Sequence, residues 1–389
     1  MFFKRGKRGQ ARAIDFVVSI SLFLLVTSQL FLIIITSTSP FTTTSEKQTL
    51  EEKAELLANN LITSPGTPQD WGFNLSSQTP FTIFGLGKAS NTPEIQVLDA
   101  SKIARLDPRL ATNPLATALN IYHIDYSQAH SSLGLDISFK LQILPLINLN
   151  IASSTNTSFI AKVTDYNNNP LENITLENYI VHPNGSVTSN WQSNTNSSGI
   201  NETLINLPDD GAYVYASIAQ YAGFADLATK IILHNTEDQA ITQEILLSFA
   251  TEANKTNECY VALAVPSEAS SITANTTILP LKPGDTSSPP ITLNQKAGSP
   301  EIYEAKTQYL SVDTPSMIIS RASYQKDGSY EYRLSITTMP LTLRQNSPEN
   351  APYAPPYNDV VEPETQTVTI ERTVIIRNTI YKLVLTCWQ

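Results

Sequence analysis

The chain has 389 residues, 15% of them charged and 8% aromatic, with 25 basic against 35 acidic side chains and a formal net charge of −10. Five of the basic residues precede Ala13, leaving 20 against 35 acidic ones in the remainder; with no Lys/Arg cluster beyond the N-terminus, a nucleic-acid backbone is excluded as partner. Cys259 and Cys387 are too few for a disulfide scaffold and leave two states open, one bridge in an oxidising compartment or two unpaired buried thiols.

Residues 1–12 form a basic leader, Lys4-Arg5-Gly6-Lys7-Arg8-Gly9-Gln10-Ala11-Arg12, followed by Asp15 and an apolar run from Phe16 to Ile35. At about 1.5 Å per helical residue the run crosses the roughly 30 Å hydrocarbon core of a bilayer, whereas a removable secretory signal has an apolar region of only about 7–15 residues. The sequence therefore predicts a transmembrane helix over 13–36. Basic residues before it and almost none after it put the N-terminus in the cytoplasm and the bulk of the chain outside, a single-pass protein of the cell membrane. Asp15 heads this helix, where a carboxylate is costly unless paired or held as an N-cap by the helix dipole.

Past Pro40, Ser45-Glu46-Lys47-Gln48 reads as a capping box opening an amphipathic helix over 45–63. Leu50, Ala54, Leu57 and Leu61 fall on one seam with Ala58 beside it, which needs a partner surface: a globular sheet, or a second copy in a coiled coil. Ser64-Pro65-Gly66-Thr67-Pro68 ends the helix and Asp70-Trp71 follows. Asp99 or Ser101 caps a short helix running through Leu106, Asp125 caps another ending near Gly134, and Leu135 to Leu144 alternates as a strand. At the other end of the chain, Thr367–Arg377 and Thr379–Trp388 are β-rich runs one turn apart.

The leader Lys7-Arg8-Gly9-Gln10 with Asp15 and Phe16-Val17-Val18-Ser19 resembles the class III signal peptides of archaeal type IV pilin-like precursors. The resemblance extends over about 1–145 through Ser-Pro-Gly-x-Pro-x-x-Trp (64–71), Phe84-Gly85-Leu86-Gly87, Leu98-Asp99 and Ser131–Phe139. It implies a prepilin peptidase as partner, cutting after Gly9 or Gln10 and leaving the helix in place, with Asp15 facing the new amine of a neighbouring pilin-like subunit. It also implies that the terminal hairpin, ending in Trp388, closes the same sheet as the strand near Ile137. The head would then be discontinuous, 64–150 plus 364–389, with the Pro-rich stretch 346–363 as an extended return link.

Between the two halves of the head lie two β-rich insertions. Short runs with turn signals about every ten residues, such as Phe159–Asp165, Asn167-Asn168-Asn169-Pro170 and His182-Pro183-Asn184-Gly185, make 151–242 similar to Ig-like modules. A second sandwich spans 243–345, with a hairpin of Met317–Tyr324 and Tyr330–Ile336 around Lys326-Asp327-Gly328. The expected fold is α+β: a transmembrane helix and a pilin-like head, helix on antiparallel sheet, carrying inserted all-β Ig-like sandwich domains.

No set of residues assembles catalytic chemistry, and no cofactor or metal is implied. His123, His130, His182 and His234 lack ligand spacing, His123 and His130 reading as solvent-facing or capping residues. Asp165, Asn167 and Asn169 begin like a calcium loop, but Pro170 and Leu176 stand where the turning Gly and the bidentate Glu belong, which leaves a plain β-turn. Tyr213, Tyr215, Tyr221 and Phe224 read either as a platform for surface glycans or as strand and core residues. Glycosylation acceptor triplets start at Asn74, Asn156, Asn173, Asn184, Asn196, Asn201, Asn254 and Asn275. The expected function is a non-enzymatic one, a structural and adhesive subunit of a type IV pilus-like surface filament; the alternative is an anchored surface protein whose sandwiches bind a ligand and never polymerise.

Overall fold

The computed structural model describes residues 49–73, 80–89, 96–112, 114–118, 120, 122–153, 157–234, 241–243, 247–249, 259–280, 287–307, 315–339, 353–355 and 366–389, together with 24 and 27. The leader, nearly all of the expected transmembrane helix, Gly9, Gln10 and Asp15 lie outside these residues. Among the described residues no helix is long and apolar enough to cross a membrane. The chain divides into two units, Met1–Lys53 and Ala54–Gln389; Leu24 and Thr27 of the first are helical.

Helix α1 covers residues 49–63. Its seam of Leu50, Ala54, Leu57, Ala58, Leu61 and Ile62 is buried to within 2% of full burial, while Glu51, Glu52 and Leu56 face out. The backbone then turns through Pro65 and Gly66, and Trp71 opens a short 3-10 helix, Trp71–Phe73. Trp71 is fully buried, packs against Phe81 and Phe84 with ring centroids 5.0 and 5.7 Å away, and donates Nε1–H to the Gly85 carbonyl at 3.0 Å. Glycine is required at 85, because a Cβ there would lie 2.3 Å from the Ser64 carbonyl oxygen.

Four short helices follow: α2 (Ala100–Ala104), α3 (Arg109–Thr112), α4 (Pro114–Ala118) and α5 (Tyr126–Leu133). Of the two caps the sequence allows for α2, Asp99 is the one used, accepting from the Ser101 amide. Asp125 forms a capping box with Gln128, and Gly134 ends α5 in the left-handed conformation.

The head sheet joins both ends of the chain. Strand β1 (Ser138–Pro145) pairs antiparallel with β19 (Thr379–Trp388), from Ser138 opposite Trp388 to Pro145 opposite Tyr381, and β19 pairs with β18 (Thr367–Ile376). The β18–β19 turn is Arg377-Asn378, both with positive φ as a two-residue hairpin demands, so Arg377 belongs to the turn. Tyr353, from the Pro-rich return link, bridges Leu141 at one edge of this sheet, and Val97 bridges Ile375 at the other. Glu55 of α1 forms an ion pair with Arg372 of β18.

Leu146 alone separates β1 from β2 (Ile147–Ser153), so the first sandwich begins at 147, four residues before the expected boundary. One of its sheets has the order β2-β3-β6, with β3 (Ser158–Asp165) and β6 (Ile200–Leu204). The other is β5-β4-β7-β8, from β4 (Thr175–Val181), β5 (Val187–Asn194), β7 (Gly211–Tyr221) and β8 (Phe224–His234). The second sandwich pairs a sheet of β13-β12-β16-β17-β9 with one of β10-β11-β15-β14. The strands of the first are β9 (Ile241–Gln243), β12 (Ser270–Pro280), β13 (Ile291–Thr292), β16 (Ser316–Lys326) and β17 (Ser329–Met339). Those of the second are β10 (Leu247–Phe249), β11 (Cys259–Ala264), β14 (Asn294–Lys296) and β15 (Ser299–Thr307). Strand β9, which straddles the expected boundary between 242 and 243, runs parallel to β17 and belongs to the second sandwich.

The two sandwiches are fused. Tyr179, Val181, Val214, Ala216 and Ile218 of the first share one apolar core with Leu279, Met317, Ile319 and Leu334 of the second. Separate cores lie within each sandwich, one around Tyr213, Tyr215 and Phe159 and another around Val261, Ile318 and Tyr324. The four sheets therefore form a continuous stack whose two central sheets are covered on both faces. Nine successive residues of β7, from Gly211 to Ala219, are buried accordingly.

Candidate functional site

The central layer of the stack is apolar along most of its length and polar at one end. On β16, Met317, Ile319 and Arg321 alternate along one face; the first two enter the shared core, and Arg321, 4% exposed, continues the row. Asn275 on β12 lies directly opposite Arg321 and accepts its Nε–H at 3.0 Å. The Asn275 amide in turn donates to the Asn184 carbonyl at 3.3 Å, and Thr277 Oγ1 donates to the Gly185 carbonyl at 2.8 Å. These two bonds seat the His182–Ser186 turn of the first sandwich on the second. Gly185 fits because its φ is +93° and a Cβ would lie 2.7 Å from Asn275 Oδ1. Nη1 and Nη2 of Arg321 are buried and have no hydrogen-bond partner among the described residues. Burial alone pulls the guanidinium down to about 10, with no carboxylate opposing it, so it stays charged at neutral pH.

The head holds a second cationic cluster, built the other way. Lys102 and Arg105 sit on and just after α2, both at 0% exposure. Lys102 Nζ donates to the carbonyls of Pro65 and Gly87 at 2.7 and 2.8 Å and lies 5.8 Å from the centroid of the Trp71 ring. Arg105 gives Nε and Nη2 to the Tyr122 carbonyl at 3.1 and 2.9 Å and Nη1 to Trp71 at 3.3 Å. Burial lowers Lys102 to about 8 against the pull of Asp99 and Asp70, and Arg105 to about 10. This pair clamps three loops to α2. Sequence reasoning missed it, as it missed Arg321: short helices with scattered basic residues look like solvated surface.

The residues singled out in the sequence disperse. Tyr213 and Tyr215 are fully buried, so they are core residues and no glycan platform; Tyr215 Oη donates to Asn178 Oδ1 at 2.7 Å, while Tyr221 is 52% exposed. Asp165 accepts from the Asn169 side-chain amide at 2.9 Å and from the backbone amides of Asn169 and Asn167, both at 2.8 Å; those bonds hold its carboxyl below the usual range, and the loop is an Asx turn. Among the described residues no group of three His, Cys, Asp or Glu could hold a metal ion. His130 bonds the Ile137 carbonyl at 2.9 Å; His123, expected at the surface or at a cap, is instead half-buried beside Tyr353, and burial lowers its pKa. Cys387 is a buried free thiol in β19, its pKa raised to about 12 by burial, and Cys259 opens β11.

Of the acceptor asparagines, Asn173, Asn184 and Asn196 are exposed. Asn201 donates its Nδ2 to the Asn194 carbonyl at 3.0 Å and its Oδ1 accepts from Ser193 and Thr203, while Asn275 is buried at the junction. In the folded chain neither presents its amide. Asn74, Asn156 and Asn254 lie outside the described residues.

Residues 6–84 match a family of unknown function (DUF7287). No curated protein matches the chain. Among solved structures the chain is similar to the BSP domain of a biofilm-associated protein, with 13% identity over 49% of this chain and 29% of that one and a TM-score of 0.17. It is similar also to the chicken CNTN1 FN1–FN3 domains, at 12% identity over 51% of this chain and 66% of that one, TM-score 0.17. A third is trypsin-activated alpha-2-macroglobulin from Escherichia coli, at 11% identity over 52% and 16%, TM-score 0.18. The chain spans less than a third of the length of the first of these. Likeness at such scores carries no functional argument.

Proposed function

We propose that the protein is a structural and adhesive subunit of an archaeal type IV pilus-like surface assembly, with a pilin-like head displaying an Ig-like stack. The observation that carries this reading is the head sheet, in which Ser138–Pro145 is paired along its whole length with the C-terminal strand Thr379–Trp388 while about 220 residues of sandwich and link loop out between them. An insertion whose two ends return to one sheet displays a rigid body without interrupting the part that would anchor and assemble. The buried seam of α1 supports the same reading, since it is the continuation of the segment that would serve as the spine.

On this reading the prepilin peptidase cuts after Gly9 or Gln10 at the cytoplasmic face. The retained helix leaves lipid to pack against other pilin-like subunits, and Asp15 compensates the amine charge created by the cut. The exposed faces of the stack, with acceptor sites at Asn173, Asn184 and Asn196, provide the contact surface toward surface glycans or neighbouring cells. Replacing Gly9 and Gln10 together and comparing gel mobility in cells that carry the peptidase tests the reading. The wild type is expected to run about 1 kDa smaller than the variant; equal mobility beside a processed control rejects it and favours the permanently anchored alternative.

A further inference from the structure

We propose that the junction between the two sandwiches is an oxyanion-binding site, with the Arg321 guanidinium as its recognition element. This inference is independent of the filament reading.

Three observations carry it. Arg321 is 4% exposed, and of its donor atoms Nε alone has a partner, Asn275 Oδ1 at 3.0 Å, among the described residues. Among the described residues the groups around it supply no countercharge: Asn275 on β12, Leu334 directly opposite on β17, and the Asn184-Gly185 turn are neutral, and His182 at the end of β4 adds to the local positive potential when protonated. Asp209 acts on His182 and Asp210 on Tyr332. Arginine cannot discharge by losing its proton at neutral pH, so a buried guanidinium whose Nη1 and Nη2 groups donate to nothing among the described residues carries a desolvation cost that a bound anion would offset.

Geometry fixes what fills it. With Nε committed to Asn275, the free edge of the planar guanidinium is the Nη1/Nη2 pair, and two parallel N–H groups match two oxygens of one carboxylate or sulfate. Neither Nη presents surface to solvent. Entry requires movement of the His182–Ser186 turn, which is held to β12 through the Asn275 amide at 3.3 Å and Thr277 Oγ1 at 2.8 Å. The ligand is thus a small oxyanion, either free in solution or as the carboxylate of an acidic sugar, and its binding would lock the two sandwiches together.

The test is thermal unfolding of the full-length protein in mild detergent at pH 7, with sodium sulfate, sodium glucuronate or sodium chloride at matched ionic strength. Wild type is compared with Arg321→Met, which removes the charge while keeping the volume, and with Arg321→Lys, which keeps the charge but loses the fork. Sulfate stabilises proteins in general, so the readout is the gain of wild type beyond that of the variants. The expected result is an excess of about 2–4 °C for wild type in at least one oxyanion arm. Excess in sulfate alone identifies an inorganic oxyanion, and excess in glucuronate identifies a sugar carboxylate. Equal gains in all three proteins overturn the proposal, as does the absence of any binding heat when wild type alone is titrated calorimetrically with both salts.

Discussion

The head and the sandwich junction each bury a guanidinium almost completely, yet they treat it in opposite ways. Arg105 points all three nitrogens at main-chain carbonyls, and its neighbour Lys102 does the same with its ammonium, so the two charges lose little by leaving water and fasten α2 to the loops at 65–72, 87 and 122. Arg321 keeps one bond, to a side chain that is itself holding the adjoining turn. A cation with its donors filled is a rivet, and one with donors idle is a site awaiting a ligand or a defect awaiting repair. The difference teaches that burial alone says little about a charged residue; the state of its remaining donors decides its role.

Removing each charge in turn separates the two roles most strongly. Arg105→Met strands the Trp71 and Tyr122 carbonyls, at about 1–3 kcal/mol each, and is expected to lower stability by about 3 kcal/mol in chemical denaturation. Arg321→Met in chloride buffer is expected to be neutral or stabilising, because it replaces an incompletely paired buried charge with an apolar side chain. Comparable losses at the two positions would erase the distinction.

A second way uses pH. Lys102 is lowered from 10.5 to about 8 chiefly by burial, so between those values the unfolded chain binds more protons than the folded one and stability from this group rises with pH. Below about pH 8 the folded protein carries the desolvation cost in full; a neutral amine keeps both carbonyl bonds. The stability difference between wild type and Lys102→Met is therefore expected to move in favour of wild type from pH 8 to 10, and a flat difference would show that the ammonium is better solvated than its burial implies. Asp99→Ala is expected to cost about 1 kcal/mol through the lost cap. The same substitution removes a charge that holds Lys102 up, so the pH window should widen downward. Smallest of all, Glu55→Gln breaks a partly exposed pair with Arg372, and less than about 1 kcal/mol is expected.

Much of the head was legible because its signals are local. Asp99 and Asp125 stand where caps are needed, Gly134 where a helix must stop, and the spacing of Leu50, Ala54, Leu57 and Leu61 names the buried face of α1 without reference to what covers it. The pairing of Ser138–Pro145 with Thr379–Trp388 came from a family resemblance, since no local rule links strands so distant. The fused stack stayed hidden for a different reason. A strand read alone reveals whether one face or both are apolar, and Ala212 to Ala219 is apolar at nearly every position, the mark of a strand covered on both sides. Of the two readings of Tyr213 and Tyr215, strand and core residues is the one observed, and Val214, Ala216 and Ile218 alternate with them. Arg321 was illegible in the same way: its meaning depends on a turn of the other sandwich about 135 residues earlier in the chain.

On the proposed reading the N-terminal apolar segment is retained and serves as the spine for assembly, and the intact mass and N-terminal sequence of the protein isolated from the surface of native cells test it most directly. A mature chain beginning at Gln10 or Ala11 and still containing Phe16–Ile35 is the expected result. A chain that keeps Met1 and its basic leader, or one released into the medium beginning near Ser37 or Ser39, contradicts it.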